Sequence, residues 1–438
     1  TVYYQGEEGA GLCQTEQKLP FTKQLELPEF TFTAWTAVVE GQTEYLNSRV
    51  VNPRRMEIRG AVGLVATVRT QSKAEVITAL ADGGIEQQLD ILQGVRSIAV
   101  MDKLITAEGE ITFPGTPAAV LDIAGTATVR EVRLLAGKAV VKGEVQVQCA
   151  WRAEQEAELQ NLGTTLPFQQ VLDVDGLTED CKCLCVMESV GFSLAESAQD
   201  AANTLSASLM LHLRAWRSYQ LQYAADAFST RFETELTPQE LAAEELICML
   251  NTTAAISGSG PLPDAEAQLR ACFVSYGPAH IAPQGSGWAL TARATTTAFA
   301  ENSLGELESY EKTLDLAVPI PAEIPDGMEL QPECWLSTDS VQCTCTGGAL
   351  TVNITVRAEG AILGRRVRQG IGSITLGEAL TPADPEIALR IYYAQAGEAL
   401  FDIARRFHVP PAQMLAANGL EPDTRVLTQA QHFLVPGI

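Results

Sequence analysis

The feature that most constrains this chain is internal repetition. Three markers recur in the same order about every 150 residues of the 438. The first is a Leu-Pro-Phe-like step at Leu19-Pro20-Phe21, Leu166-Pro167-Phe168 and Val318-Pro319-Ile320. The second is an alternating apolar run reaching an arginine: Val62 to Arg69, Ser208 to Arg214 and Leu350 to Arg357. The third is a Thr-Pro pair at 116/117, 237/238 and 381/382. A repeat of this length is a domain-sized unit, so the chain reads as tandem copies of one fold.

Strands dominate each copy. Lys138–Val147 alternates apolar and polar residues about Gly143, the period-2 pattern of a half-buried strand, and Leu290–Phe299 holds the matching place in the third copy. Tyr4, Trp151 and Phe299 precede their prolines by similar spans, which predicts that the first copy enters at the end of such a strand, without its front half. Around Thr237-Pro238 the residues Leu236, Glu240 and Leu241 fit a capping box with a hydrophobic staple, predicting a short helical entry; Thr116-Pro117 opens 118–121 in the same way. The expected fold is mainly β: tandem β-sandwich-like units with short helices, at residues 1–110, 111–236 and 237–385, followed by a small βααβ domain at 388–438.

That last domain is legible in detail. Leu400, Ile403, Ala404 and Phe407 fall at i, i+3, i+4, i+7 and predict one buried helix face. Pro410 and Pro411 end that helix, and Pro411 suits the first turn of a second, closed by Asn418-Gly419. Extended pieces at Ile391–Gln395 and His432–Val435 complete strand, helix, helix, strand. This order and these residues resemble a LysM module, a carbohydrate-binding domain of cell walls.

The stretch 117–151, with Pro117, Leu121-Asp122, Lys138, Val140-Val141, Gly143 and Trp151, followed by Leu166-Pro167-Phe168, is similar to the SPOCS domain. The third copy departs from it, with Gly-Ser-Gly-Pro at 258–261, expected as a loop, and Trp288-Ala289-Leu290 in place of the Val-x-Gly strand. Tandem SPOCS units closed by LysM are the layout of the SipL-like spore-coat assembly family. The resemblance implies a mother-cell protein at the forespore surface or spore coat, docked to a coat-morphogenetic ATPase through its C-terminal module; the cell wall is the alternative location.

The same resemblance places the LysM groove at Gly397, Glu398, Ala399, Leu400 and Phe401 after the first strand, and at Asn418, Gly419 and Leu420 after the second helix. Peptidoglycan or another N-acetylglucosamine glycan is one occupant. However, the family's Gly-Asp-Thr-Leu is Gly397-Glu398-Ala399-Leu400 in this chain, and its Gly-Gln before the last strand is Ala430-Gln431. Those changes remove a hydroxyl and lengthen a carboxylate, which weakens the case for glycan, and the SPOCS resemblance favours a protein partner. Phe401 reads equally as an anchor for that partner and as partly buried core.

Nothing in the sequence marks an enzyme or a cofactor. There is no Gly-x-Ser-x-Gly, no phosphate-binding Gly-Lys-Ser/Thr loop and no His-Glu-x-x-His. His212, His280, His408 and His432 have no Cys or Asp at catalytic or metal spacing, although His408 as a cation would suit the end of its helix. Cys181, Cys183 and Cys185 share parity on a strand but read as small buried apolar residues, and no metal is expected. The acidic runs Glu154–Glu158 and Glu306–Glu311 read as solvated loops. A net charge of -24 disfavours nucleic acid. All of that excess acid lies before the LysM module, whose Arg390, Arg405, Arg406 and Arg425 balance Glu398, Asp402, Glu421 and Asp423. No run of eighteen apolar residues is present to span a membrane.

Overall fold

The computed structural model describes residues 2–5, 12–15, 17, 19–26, 34–71, 73–81, 84–153, 160–195, 203–325, 327–381 and 389–436. The chain opens with a small hairpin, β1 (Val2–Gln5) and β2 (Leu12–Thr15), then a long one, β3 (Ala34–Asn52) and β4 (Arg55–Gln71). Two further repeats follow. One comprises β5 (Ile85–Ile111), β6 (Pro117–Leu135), β7 (Lys138–Ala153), β8 (Gln160–Asp173), β9 (Lys182–Ala195) and β10 (Asn203–Ser229). The other comprises β11 (Phe232–Pro261), β12 (Gln268–Tyr276), β13 (His280–Gln284), β14 (Gly287–Glu301), β15 (Leu307–Pro319), β16 (Glu329–Thr346) and β17 (Ala349–Ala379).

Each of these repeats is two sheets face to face. In the earlier one, β6-β7-β8 packs on β5-β10-β9. In the later one, β12, β13 and β15 pair with the central β14, and this sheet packs on β11-β17-β16. The cause is alternation. Ala139, Val141, Val145, Val147, Cys149 and Trp151 point inward from β7, and Leu205, Ala207, Leu209, Leu211 and Leu213 meet them from β10. Ala294, Ala298 and Ala300 of β14 meet Val352, Ile354 and Val356 of β17 in the same way. Ile105, Ala107 and Ile111 of β5 belong to the first of these cores, so that sandwich begins before residue 111.

Leu166 and Phe168, and likewise Val318 and Ile320, are buried where the Leu-Pro-Phe step meets the core. The intervening Pro167 and Pro319 lie on the edge strands β8 and β15, where a missing N–H costs no ladder bond. Trp151 is buried against Phe113, with ring centroids 5.0 Å apart.

Several expectations are corrected. The two helical entries do not form: 117–121 lies in β6 and 236–241 in β11. Both are edge strands that tolerate proline, and alternate burial along Phe232–Ala243 outweighs the local capping signal. Thr237 caps nothing; its hydroxyl accepts from Ser373 Oγ at 3.0 Å. Gly258–Pro261 ends β11 rather than forming a loop, and most of Glu306–Glu311 enters β15. Pro382 and Glu154–Glu158 lie outside the described residues. Among the described residues the α-helices are confined to the C-terminal module.

The chain divides into two compact units. One holds Thr1–Ser72, Arg96–Arg217 and Leu246–Gly364, with both sandwich cores. The other holds Lys73–Val95, Ser218–Glu245 and Arg365–Ile438, including the last domain. No helix among the described residues is long and apolar enough to cross a membrane.

Candidate functional site

The C-terminal domain pairs β18 (Leu389–Ala394) antiparallel with β19 (Gln431–Pro436) and places α1 (Leu400–Phe407) and α2 (Pro411–Asn418) between them in sequence. Leu400, Ile403 and Ala404 are buried and Phe407 partly so, as the periodicity requires. Pro411 opens α2, and Gly419 closes it in the left-handed conformation at φ 63°. His408 closes α1 at φ 53°, a position more often given to glycine or asparagine.

The polar groups at the positions expected for the groove are engaged within the domain. The Glu398 carboxylate accepts from the Gln395 amide and from the Tyr392 hydroxyl, each at 2.7 Å, and lies 3.9 Å from Arg406. The Gln395 amide, then the Tyr392 hydroxyl and the Arg406 charge, hold its pKa below the ordinary glutamate value. Asn418 bonds the carbonyls of Met414 and Leu434 at 2.8 Å and accepts from the Leu434 amide at 2.7 Å, tying α2 to β19. The amides of Gly397, Leu400, Gly419 and Leu420 all have backbone partners. Ala399 adds no polar atom; it bridges Val426. Leu400 is core, and Leu420 packs, partly buried, against the same core.

Phe401 faces the rest of its own unit. Its ring meets Phe228 edge-on at 5.2 Å, and Phe228, at the end of β10, is completely buried in the core of this domain. Arg405 clasps the Asp226 carboxylate through both terminal nitrogens, at 3.0 and 2.6 Å. Burial outweighs Arg405 and lifts the Asp226 pKa. Nδ1 of His408 lies 3.1 Å from the Ser229 carbonyl. No sequence signal pointed to these contacts, because the polar ones join residues 179 apart and the Phe228–Phe401 pair is nearly as distant.

A second cluster sits where repeats meet. Arg214 is 1% exposed and donates to Glu333 at 2.6 Å, to Asp102 at 2.8 Å and to the Met101 carbonyl at 3.1 Å. Arg69 reaches the same Glu333 at 3.1 Å, and Trp335 stacks under Arg214 at 5.4 Å. His212 does have an aspartate partner in space: Nδ1 lies 2.8 Å from Asp102, and Nε2 lies 3.5 Å from Glu188. Burial alone would lower the His212 pKa, but Glu188 and Asp102 outweigh it and raise the value. Burial would likewise raise Asp102, but Arg214 and His212 bring it down. Two of the three repeated arginines therefore converge on one carboxylate, while Arg357 pairs instead with Asp339, its Nε 3.2 Å away.

The open side of the first sandwich, between β6 and β9, has a cleft of about 430 Å³ whose lining carries one carboxylate, Asp122, and no second acid or base. Burial pushes the Cys183 and Cys185 thiols up to about 12 and Cys149 to about 11, so they are neutral thiols at pH 7. Among the described residues no group of three or more His, Cys, Asp or Glu could hold a metal ion.

Residues 118–193 match the family described as SipL, SPOCS domain, and residues 392–428 match the LysM domain. The chain carries a SPOCS domain and a LysM domain. The first match spans β6 to β9 of the earlier sandwich, and the second runs from within β18 past both helices of the C-terminal domain. Both are non-catalytic domain families, the first of sporulation proteins and the second of a kind that binds peptidoglycan-type glycans. Neither a curated protein nor a solved structure matches the chain.

Proposed function

We propose that this SPOCS–LysM chain is a non-enzymatic adaptor of spore-coat assembly, acting in the mother cell at the forespore surface, and that its LysM domain docks a coat-morphogenetic ATPase. The observation that carries this reading is the state of the groove. Glycan recognition needs side-chain hydrogen-bond groups beside an apolar surface. Here Glu398 and Asn418 are engaged internally, Ala399 has none to offer, and Gly397, Gly419 and Leu420 contribute backbone and apolar contact. A surface of that kind suits a protein segment better than a sugar.

The family supports a second reading, in which the groove holds N-acetylglucosamine units of peptidoglycan. The two separate in one experiment: capture of the coat-morphogenetic ATPase by the full chain from sporulating-cell extract, with and without excess N-acetylglucosamine oligomer. The adaptor reading expects capture that the sugar leaves unchanged. Capture abolished by the sugar would assign the groove to glycan, and absence of the ATPase would remove it as partner.

A further inference from the structure

The two sheets of the later sandwich meet along an edge that carries thiols from both sides. Strand β12 ends one sheet and β16 ends the other. Cys272 pairs with Ala298 in the β12–β14 register, and Ala298 is completely buried, so Cys272 points inward with Val274 and Tyr276. From β16, Cys343 and Cys345 point inward onto the same core. Two contacts join the strands. The Tyr276 hydroxyl lies 2.7 Å from that of Thr338, and the Cys272 thiol donates to Cys343.

The register along this edge brings the thiols together. Cys272 lies four residues before Tyr276 on β12, and Cys343 lies five residues after Thr338 on β16. The extra residue exchanges the inward positions of β16, from Cys334 and Leu336 to Cys343 and Cys345. Without it Cys343 would turn to solvent, because one residue of slip moves every side chain to the other face. Cys343 and Cys345 stand roughly 7 Å apart along one face of a strand, too far to bridge each other. Thiols in contact across two sheets need little backbone movement to join. The matching edge of the earlier sandwich, between β6 and β9, is the open cleft, and β6 has no cysteine.

We propose that Cys272 and Cys343 are an oxidisable pair whose disulfide staples the two sheets of the later sandwich along this edge. The oxidant is a low-molecular-weight disulfide. Burial raises the pKa of both thiols, but the hydrogen bond from Cys272 opposes it at Cys343 and adds to it at Cys272, so Cys343 ionises first. Its thiolate attacks one sulfur of the small disulfide, forms a mixed disulfide and expels a small thiolate. Cys272 gives its proton to that thiolate and attacks the Cys343 sulfur, which releases the second small thiolate to take up the proton first lost by Cys343. The two protein thiols are thus oxidised by two electrons, and the small disulfide leaves as two thiols. The bond closes a loop of about 70 residues, which restricts the unfolded chain and pins β12 to β16.

The test is the full chain held with oxidised glutathione at about pH 8.5, then alkylated, digested without reductant and mapped by mass spectrometry. The expected product joins the Cys272 and Cys343 peptides within one chain. It should form about tenfold more slowly one pH unit lower, as the thiolate fraction falls. Once the bond is formed, amide hydrogen exchange in β12 and β16 should slow at least about tenfold, and exchange in β7 should not change. Cys345→Ala should keep the cross-link, whereas Cys343→Ala should lose it together with the slowed exchange. Thiols that stay unreacted, glutathione that stops as an adduct on either residue, or a bond to Cys345 instead overturns the proposal. So does a Cys272–Cys343 bond that leaves hydrogen exchange in β12 and β16 unchanged.

Discussion

Phe228→Ala probes how the LysM domain is held. Phe228 ends β10 but is counted among the core residues of the last domain, beside Leu400, Ile403, Met414 and Phe433, with none of its surface exposed. Its removal leaves a hole beneath α1 and ends the edge-on contact with Phe401. Truncating a fully buried phenylalanine costs about 3–5 kcal/mol, of which the aromatic pair supplies about 0.5–1.5. The β18–β19 pairing does not involve it, and Val409, Met414 and Phe433 remain in the cluster, so the domain keeps most of its core. The loss falls on the attachment. Native-state hydrogen exchange should then show the α1 amides opening between about a hundredfold and a few thousandfold more often, at 1.4 kcal/mol per tenfold. Exchange in β7 and β14, inside the sandwiches, should not change. If α1 exchange rises less than tenfold, Phe228 is not the fastening and the argument fails.

The other perturbations divide by burial. Arg214→Met should cost about 3–5 kcal/mol in urea unfolding, because Glu333 and Asp102 lose their main buried partner. Arg357→Met, at the equivalent repeat position but with a more exposed Asp339, should cost less than about 1 kcal/mol; equal losses would refute the distinction. His212 has a raised folded pKa, so its contribution is full below about 6.5 and fades as pH rises through the folded value; Asp102 has a lowered one, so its contribution is full above about 3.9 and fades as pH falls. The pair therefore acts together between about pH 4 and 6.5, and the wild type should lose more stability than His212→Gln from pH 5 to pH 8. Parallel curves for the two proteins would contradict this. Arg405→Ala should loosen α1 more than Asp226→Asn does, since it strands a half-buried carboxylate that burial already disfavours; the reverse order in hydrogen exchange would refute that assignment.

Much of the fold was legible because it rests on local periodicity. Strands β7 and β14 appear in the sequence as alternation, and the LysM helices as a 3.6-residue stripe bounded by Pro411 and Gly419. Thr116-Pro117 and Thr237-Pro238 misled because capping chemistry is local, whereas pairing with β7 and β17 is not. The resemblance offered groove positions as an expectation, but the engagement of Glu398 with Tyr392 and of Asn418 with Leu434 has no sequence signal. The same holds for Arg214 and Glu333, 119 residues apart, although the arginine recurring at the same place in three runs was the available signal. Phe401 had two readings in the sequence, and its edge-on contact with Phe228, across 173 residues of chain, belonged to neither signal.

The most direct measurement is retention of the full chain on insoluble peptidoglycan, read as the fraction left after washing at physiological salt. With Glu398 and Asn418 engaged inside the domain and Ala399 in the groove, the chain should wash off with the unbound control. Strong retention, competed by soluble N-acetylglucosamine oligomers, would contradict the adaptor reading and return the groove to glycan.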